Sequence, residues 1–362
     1  MRLDLFRSNN FNLVRLFAAL QVTVHHAFVH LNINTDSLTI IKYLDLFPGV
    51  PIFFFVSGFL ITKSFERNPI ISGYIRNRLL RIYPALIVCV FLSVGSVWVT
   101  KYFSNIDVGF SKLLVWILAQ ISFVQFYNPD FMRGYGTGVL NGSLWTVAVE
   151  LQFYTLVPLY YWIFNLAKSK NKIILVIILF FMTLHIIYFL LIGKYGEYLL
   201  YKLWGVSFIP WLYMFFIGAF FQRNFNKMHL ILSDKFLLIF PIYLLISYYS
   251  VYHLGWDSGN SLNPILYLIL SITIFSFAYS HNTLGGSLLK SNDISYGIYI
   301  YHMPIVNFLL FYRHTSSIFN IFQAVVSTLV FAILSWFFIE KPAMKLKKDP
   351  LNPIVVRRRK ST

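Results

Sequence analysis

The chain has little charge, almost no cysteine and none of the common nucleotide-binding signatures, and each shortage narrows its function. Of 362 residues only 12% are charged, against 58% hydrophobic and 19% aromatic, a composition foreign to soluble globular domains. The single cysteine, Cys89 in LIVCVFL, cannot form an internal disulfide and reads as a small apolar packing residue. There is no Walker loop, no dinucleotide glycine fingerprint, no CxxC and no HExxH, so P-loop, Rossmann-type and zincin chemistry lack their anchors. No internal repeat is evident, which weakens an inverted-repeat transporter reading. The first apolar segment has no small-x-small cleavage site and is interrupted by Arg15, Gln21, His25 and His26, so it is expected to stay as a membrane helix.

What the chain has in abundance is long apolar runs, such as KIILVIILFFMTLHIIYFLLI (172–192) and IFQAVVSTLVFAILSWFFI (321–339), each able to cross about 30 Å of hydrocarbon. Spans are expected near 11–30, 46–62, 82–100, 144–165, 173–192, 203–222, 236–252, 262–280, 294–312 and 318–339. The stretch 113–126 is short for a crossing and reads as re-entrant or interfacial. With both termini cytoplasmic, this arrangement puts 22 lysines and arginines inside and 7 outside, with Arg15 within the first span, as the positive-inside rule asks. The expected fold is therefore an all-α polytopic membrane protein of about ten transmembrane helices plus that short segment. It comprises a membrane domain over 1–340 and a basic cytoplasmic tail over 341–362, without an appended soluble catalytic domain. The net charge of +17 belongs mostly to cytoplasmic loops and the tail and calls for no nucleic acid. The tail's natural partners are anionic lipid headgroups.

Four segments break the apolar pattern with groups that lipid penalises. In RLFAALQVTVHH, Arg15 and His26 are eleven positions apart, about 20° beyond three full turns, so they share one helix face and are separated by about 16 Å. His25 falls about 80° away; His30 lies one turn beyond His26. The bland alternative is an arginine and histidines reaching for the two interfaces. In YIRNRLLRIYPAL, Arg76, Arg78 and Arg81 cluster at the inner mouth of the third span. Such a cluster is either topological or a phosphate grip, since Arg78 and Arg81 are one turn apart and guanidiniums bind phosphates in a bidentate manner. GSLWTVAVELQFYTLVP places Glu150 inside an apolar span, with Trp145 and Tyr154 readable as packing aromatics. SYGIYIYHMP brings Tyr296, Tyr299, Tyr301 and His302 into the ninth span. A metal site from His26, His30, His302 and Glu150 is disfavoured, because only His26 and His30 show a ligand spacing. Ser57 in FFFVSGF lacks a nucleophile-elbow context and is expected to make a small-residue helix contact.

Together, NLVRLFAALQVTVHHA, PGVPIFFFVSGFLI, RNRLLRIYPAL, NGSLWTVAVELQFY and ISYGIYIYHMPI, in this order over about residues 9–340, resemble the membrane-bound acyltransferase-3 family, which acylates bacterial surface sugars and related exported molecules. The resemblance implies that the arginine–histidine pair of the family falls on Arg15 and His26. Its RxxR pair, associated with the acyl-CoA donor, falls on Arg78 and Arg81, and its SLWxxxxE piece on Ser143, Leu144, Trp145 and Glu150. Pro51 stands where many relatives carry aspartate, so that aspartate's role has no support here. The implied activity is O-acyl transfer, acetyl-CoA being the donor and a sugar hydroxyl such as that of O-antigen the acceptor, at the bacterial inner membrane and with no metal. On this reading His26 is the general base or the acyl acceptor, with Arg15 and Glu150 beside it. Arg78, Arg81 and Arg76 hold coenzyme A phosphates, and Ser143, Trp145, Tyr154, Tyr296 and His302 support the site. A transporter or flippase for a lipid-linked sugar is the rival, in which the same buried charges line a path and no bond is made.

Overall fold

In hydrocarbon a backbone has no partner but itself, so apolar segments close their own hydrogen bonds as helices. The computed structural model describes residues 6, 8–31, 39–164, 171–281, 284–290, 292–312 and 317–347, and among them there are helices and no strands. In chain order these are α1 (Phe11–His30), α2 (Thr39–Asp45), α3 (Gly49–Arg67), α4 (Ile71–Val99), α5 (Phe110–Ile121), α6 (Trp145–Phe164), α7 (Asn171–Tyr195) and α8 (Leu199–Gly205). There follow α9 (Leu212–Arg223), α10 (Phe225–Leu232), α11 (Phe236–Tyr252), α12 (Pro264–Ala278), α13 (Leu284–Leu289), α14 (Ser295–Tyr312), α15 (Ile318–Ser335) and α16 (Lys341–Lys345). A π-helical turn, Trp336–Glu340, joins the last two.

Among the described residues, four stretches are long and apolar enough to cross a membrane: Ile41–Arg67, Ile71–Val99, Asn171–Tyr195 and Ile318–Lys345. A fifth is added if α10 and α11, which meet at 88°, form one broken span. By length and apolarity alone the expected ten crossings are thus not reached, for identifiable reasons. The 203–222 run breaks between Gly205 and Leu212 into two short helices, and 262–280 yields the 15-residue α12. Polar groups interrupt the 20-residue α1. Of the 113–126 stretch, residues 113–121 belong to the 12-residue α5, too short to cross, and the rest is irregular. Residues 348–362, most of the expected tail, lie outside the described residues.

Packing follows from small residues at crossings. Gly58 of α3 lies against the Phe215 carbonyl of α9, and Gly218 of α9 against the Phe55 carbonyl; a Cβ at either would run into backbone, the close approach that small residues permit between membrane helices. α1 packs against α3 and α14, and α14 is backed by α15. The irregular segment before α6 is tied to α14 by Asn307. Its amide donates to the Val139 and Leu140 carbonyls at 2.9 Å each, and its oxygen accepts from the Thr137 N–H at 2.8 Å. Ser143 and Trp145 are thereby brought to the bundle.

Candidate active site

The polar stripe of α1 is answered by α14. The two helices run in the same direction. Near the start of α1, Arg15 meets Asp293, just before α14, at 2.5 Å; near its end, His26 Nδ1 lies 2.9 Å from His302 Nε2. His302 is fully buried. The His25 and His30 rings lie 6.1 and 5.5 Å from that of His26, and His25 turns to Asp45, 2.8 Å away. Helical spacing thus separates the two adjacent histidines: one faces the bundle, the other a rim carboxylate.

Below the histidines is a buried ion-pair network. Asp293 Oδ2 accepts from Arg15 and, at 2.6 Å, from Arg81; its other oxygen accepts from the Ser295 hydroxyl and amide, an Asx-type contact at the start of α14. Burial alone would raise the Asp293 carboxyl, but the Arg15 and Arg81 guanidiniums and the Ser295 contacts hold it at about 2. Arg81 also lies 3.5 Å from Glu340, which accepts from Ser335 at 3.2 Å, and it sits over the Tyr296 and Trp336 rings. Arg78 points elsewhere, over Tyr74 and Tyr154. Arg76 donates to the Leu346 carbonyl at 3.1 Å.

Glu150 is held by two donors on one oxygen, Ser57 Oγ and Tyr154 O–H, both at 2.6 Å. Ser57 is therefore a hydrogen-bond partner of the carboxylate, and its neighbour Gly58 makes the close helix contact. Arg15, Glu150, Thr146, Tyr296 and Tyr299 line one small cavity with Val50, Phe53, Phe54 and Val147, about 30 Å³ in volume. Tyr299 connects it to the histidines: its hydroxyl meets Thr146 at 2.5 Å and its ring lies 5.8 Å from that of His302. Ser143 holds Asn141, whose amide donates to the Ile300 carbonyl of α14. The Trp145 ring packs at a tilt against that of Trp211, 5.2 Å between centroids, and is not among the residues that line the cavity. Among the described residues, no group of three or more His, Cys, Asp or Glu is arranged to hold a metal ion.

A family model described as an acyltransferase domain, acyltransferase-3, matches residues 8–340. The chain belongs to the acyltransferase-3 family. It is an O-acyltransferase and a membrane protein. It is 30% identical over 353 residues to Nodulation protein 10 of Rhizobium leguminosarum, covering 94% of each chain. To a protein of Shigella phage Sf6 named O-acetyl transferase it is 27% identical, over 92% of this chain and 96% of that one. To the peptidoglycan O-acetyltransferase OatA of Listeria monocytogenes it is 24% identical, over 83% of this chain and 51% of that one. No solved structure matches.

Within this acyltransferase-3 chain the structure joins Arg15, Glu150 and Tyr296 around one cavity and pairs His26 with His302. It sends Arg78 and Arg81 to different partners and leaves Trp145 out of the cavity lining, against Trp211. Asp293 and Glu340 had no place in the sequence reading. The signal that points to them is the unpaired cation itself: an arginine within an apolar helix needs a carboxylate, and the chain has only 13 acidic residues in all.

Proposed function

We propose that this acyltransferase moves an acetyl group from cytosolic acetyl-CoA to a hydroxyl of a surface sugar, such as lipopolysaccharide O-antigen, on the far side of the bacterial inner membrane. On the topology expected from the sequence, with both termini cytoplasmic, the donor comes to the arginine end of the α1–α14 seam and the acceptor to the histidine end; the parallel run of the two helices, with Arg15 at one end and His26 at the other, supports this. The observation that carries the reading is the 2.9 Å contact between His26 Nδ1 and His302 Nε2. With His26 Nδ1–H donating to His302, Nε2 of His26 keeps its lone pair, the tautomer that a general base or a nucleophile needs. His302 takes the orienting place that a carboxylate holds in a hydrolase triad. As base, His26 takes the sugar hydroxyl proton while the oxygen attacks the thioester carbonyl; the C–S bond breaks and coenzyme A leaves as its thiol once protonated. As nucleophile, it carries the acetyl group in between. Arg15 and Glu150 line the small cavity that Tyr299, its ring 5.8 Å from that of His302, separates from the histidine pair, and the acyl group passes there. A cavity of 30 Å³ favours a short acyl group, since one water needs about 10–15 Å³. Relatives named as O-acetyltransferases support the same group.

The test is acetyl transfer from labelled acetyl-CoA by purified protein in nanodiscs, with a new O-acetyl signal in the NMR spectrum of the surface polysaccharide. His26→Ala is expected to abolish both; native-rate transfer by that variant would remove the histidine from the mechanism. A flippase would tolerate His26→Gln and release no coenzyme A.

A further inference from the structure

At the end of the bundle where Arg15 lies, cations outnumber their partners. Arg15 and Arg81 are spent on Asp293 and Glu340. Two more cations lie beside them, and among the described residues neither forms an ion pair with a carboxylate. Arg78 rests over Tyr74 and Tyr154 and keeps a buried Nε with no hydrogen-bond partner. Lys347 arrives from the far end of the chain. The segment after α16 is held to α4 by Arg76, which donates to the Leu346 carbonyl at 3.1 Å, and α16 is anchored by Lys341, which donates to Asn292 at 3.2 Å. This brings a half-buried ammonium close to Arg15, Arg78 and Arg81. Gathering cations out of water costs free energy unless an anion completes the group.

We propose that Lys347, from the segment that follows the last long helix, is the second jaw of a phosphate clamp for the acyl donor, closing opposite Arg78 of α4, which the RxxR resemblance already associates with that donor. The inference rests on the acyl-CoA reading above. It shifts part of the donor contact from Arg81, already engaged with carboxylates, to a lysine in a tail that the sequence marked only as polar and lipid-seeking. The chemistry suits the pair: a guanidinium held flat on aromatic rings offers a fixed fork, and a lysine on a mobile stem closes as a point charge. An anionic lipid headgroup carries the same phosphate chemistry, so the experiment separates the two sources.

The lysine supplies a signature that a purely structural residue lacks. Burial, followed by the Arg78, Arg81 and Arg15 charges and opposed by Asp293, pushes the Lys347 ammonium down to about 7. A bound phosphate restores the proton. Above pH 7 binding must therefore take up a proton, and affinity falls with rising pH by up to about tenfold per unit; an arginine at this position stays charged throughout.

Coenzyme A is titrated calorimetrically into the full-length protein in zwitterionic nanodiscs at pH 6.5 and 8.5. Wild type is expected to weaken about fivefold or more between the two. Lys347→Ala should bind about tenfold more weakly at pH 6.5 and lose most of the pH dependence. Lys347→Arg should keep the affinity with a flat profile, and the exposed Lys345→Ala should match wild type. If Lys347→Ala binds coenzyme A like wild type at both pH values, the clamp is overturned while the acyl-CoA reading stands. If wild type binds no coenzyme A, the acyl-CoA reading fails. Retention of phosphatidylglycerol, measured by native mass spectrometry, then decides: a loss in Lys347→Ala assigns the jaws to a lipid headgroup, and no change overturns them.

Discussion

Removing Asp293 is expected to unbalance three helices at once. Its Oδ2 is shared by guanidiniums from α1 and α4, and its Oδ1 holds Ser295 at the start of α14, with the residue only 8% exposed. Asp293→Ala leaves Arg15 and Arg81 facing each other, with Glu340 as the remaining carboxylate of the network. Removing one partner of a buried pair costs roughly 3–5 kcal/mol, because the other charge stays uncompensated. The Arg15 and Arg81 guanidiniums, which outweigh burial, hold the Asp293 carboxyl below its usual range, so its charged form belongs to the folded state. A depressed carboxylate stabilises above its unfolded value and loses that contribution as pH falls towards 2, so an assay at neutral pH sees all of it. For a chain of 362 residues, roughly 3–5 kcal/mol corresponds to a fall in melting temperature of about 4–7 °C. Tryptophan fluorescence on heating the detergent-solubilised protein reads this directly. The double variant Asp293→Ala, Arg81→Met removes one charge of each sign and leaves Arg15 with Glu340. Its loss should fall short of the sum of the singles by about 1–3 kcal/mol. A single variant melting within about 1 °C of wild type, or a double that adds within about 0.5 kcal/mol, would refute the shared counter-ion.

Two further perturbations address the cavity and the scaffold. Phe53→Ala enlarges the space between Arg15 and Glu150; coenzyme A release from propionyl- and butyryl-CoA should rise relative to acetyl-CoA, and an unchanged donor profile would remove Phe53 as a limit on acyl length. Gly58→Ala drives a Cβ into the Phe215 carbonyl, so α3 and α9 must part at a cost of about 1–3 kcal/mol, seen as a lower melting temperature; a wild-type value would mean that the crossing has slack.

Much of this arrangement could be read from residue order, and the remainder could not, for reasons that lie in the chain. That the protein is built of apolar helices follows from composition and run length. Where the runs break does not. Between 203 and 222 hydropathy stays high through the turn at Ser207–Pro210, so a sliding average sees one crossing where the backbone makes two short helices. The arginines of α4 were visible as a cluster one turn apart, but not their destinations. Arg81 points to carboxylates and Arg78 to tyrosines because different helices flank them, and spacing on one helix is silent about its neighbours.

The same limit explains the most consequential omission. Helical arithmetic put Arg15 and His26 on one face of α1 using only local geometry, and both do turn to a single partner helix. Asp293, however, is 278 positions away in a short polar stretch before a span, where an acidic residue ordinarily faces water. It becomes informative only when each intramembrane cation is required to find a counter-ion. Once α1 and α14 are parallel neighbours, their polar residues fall into register: Asp293 beside Arg15, and about 13 Å further along α14 His302 beside His26. That register makes the stripe on α1 half of a two-helix seam, with a charge-compensated end and an imidazole pair at the other.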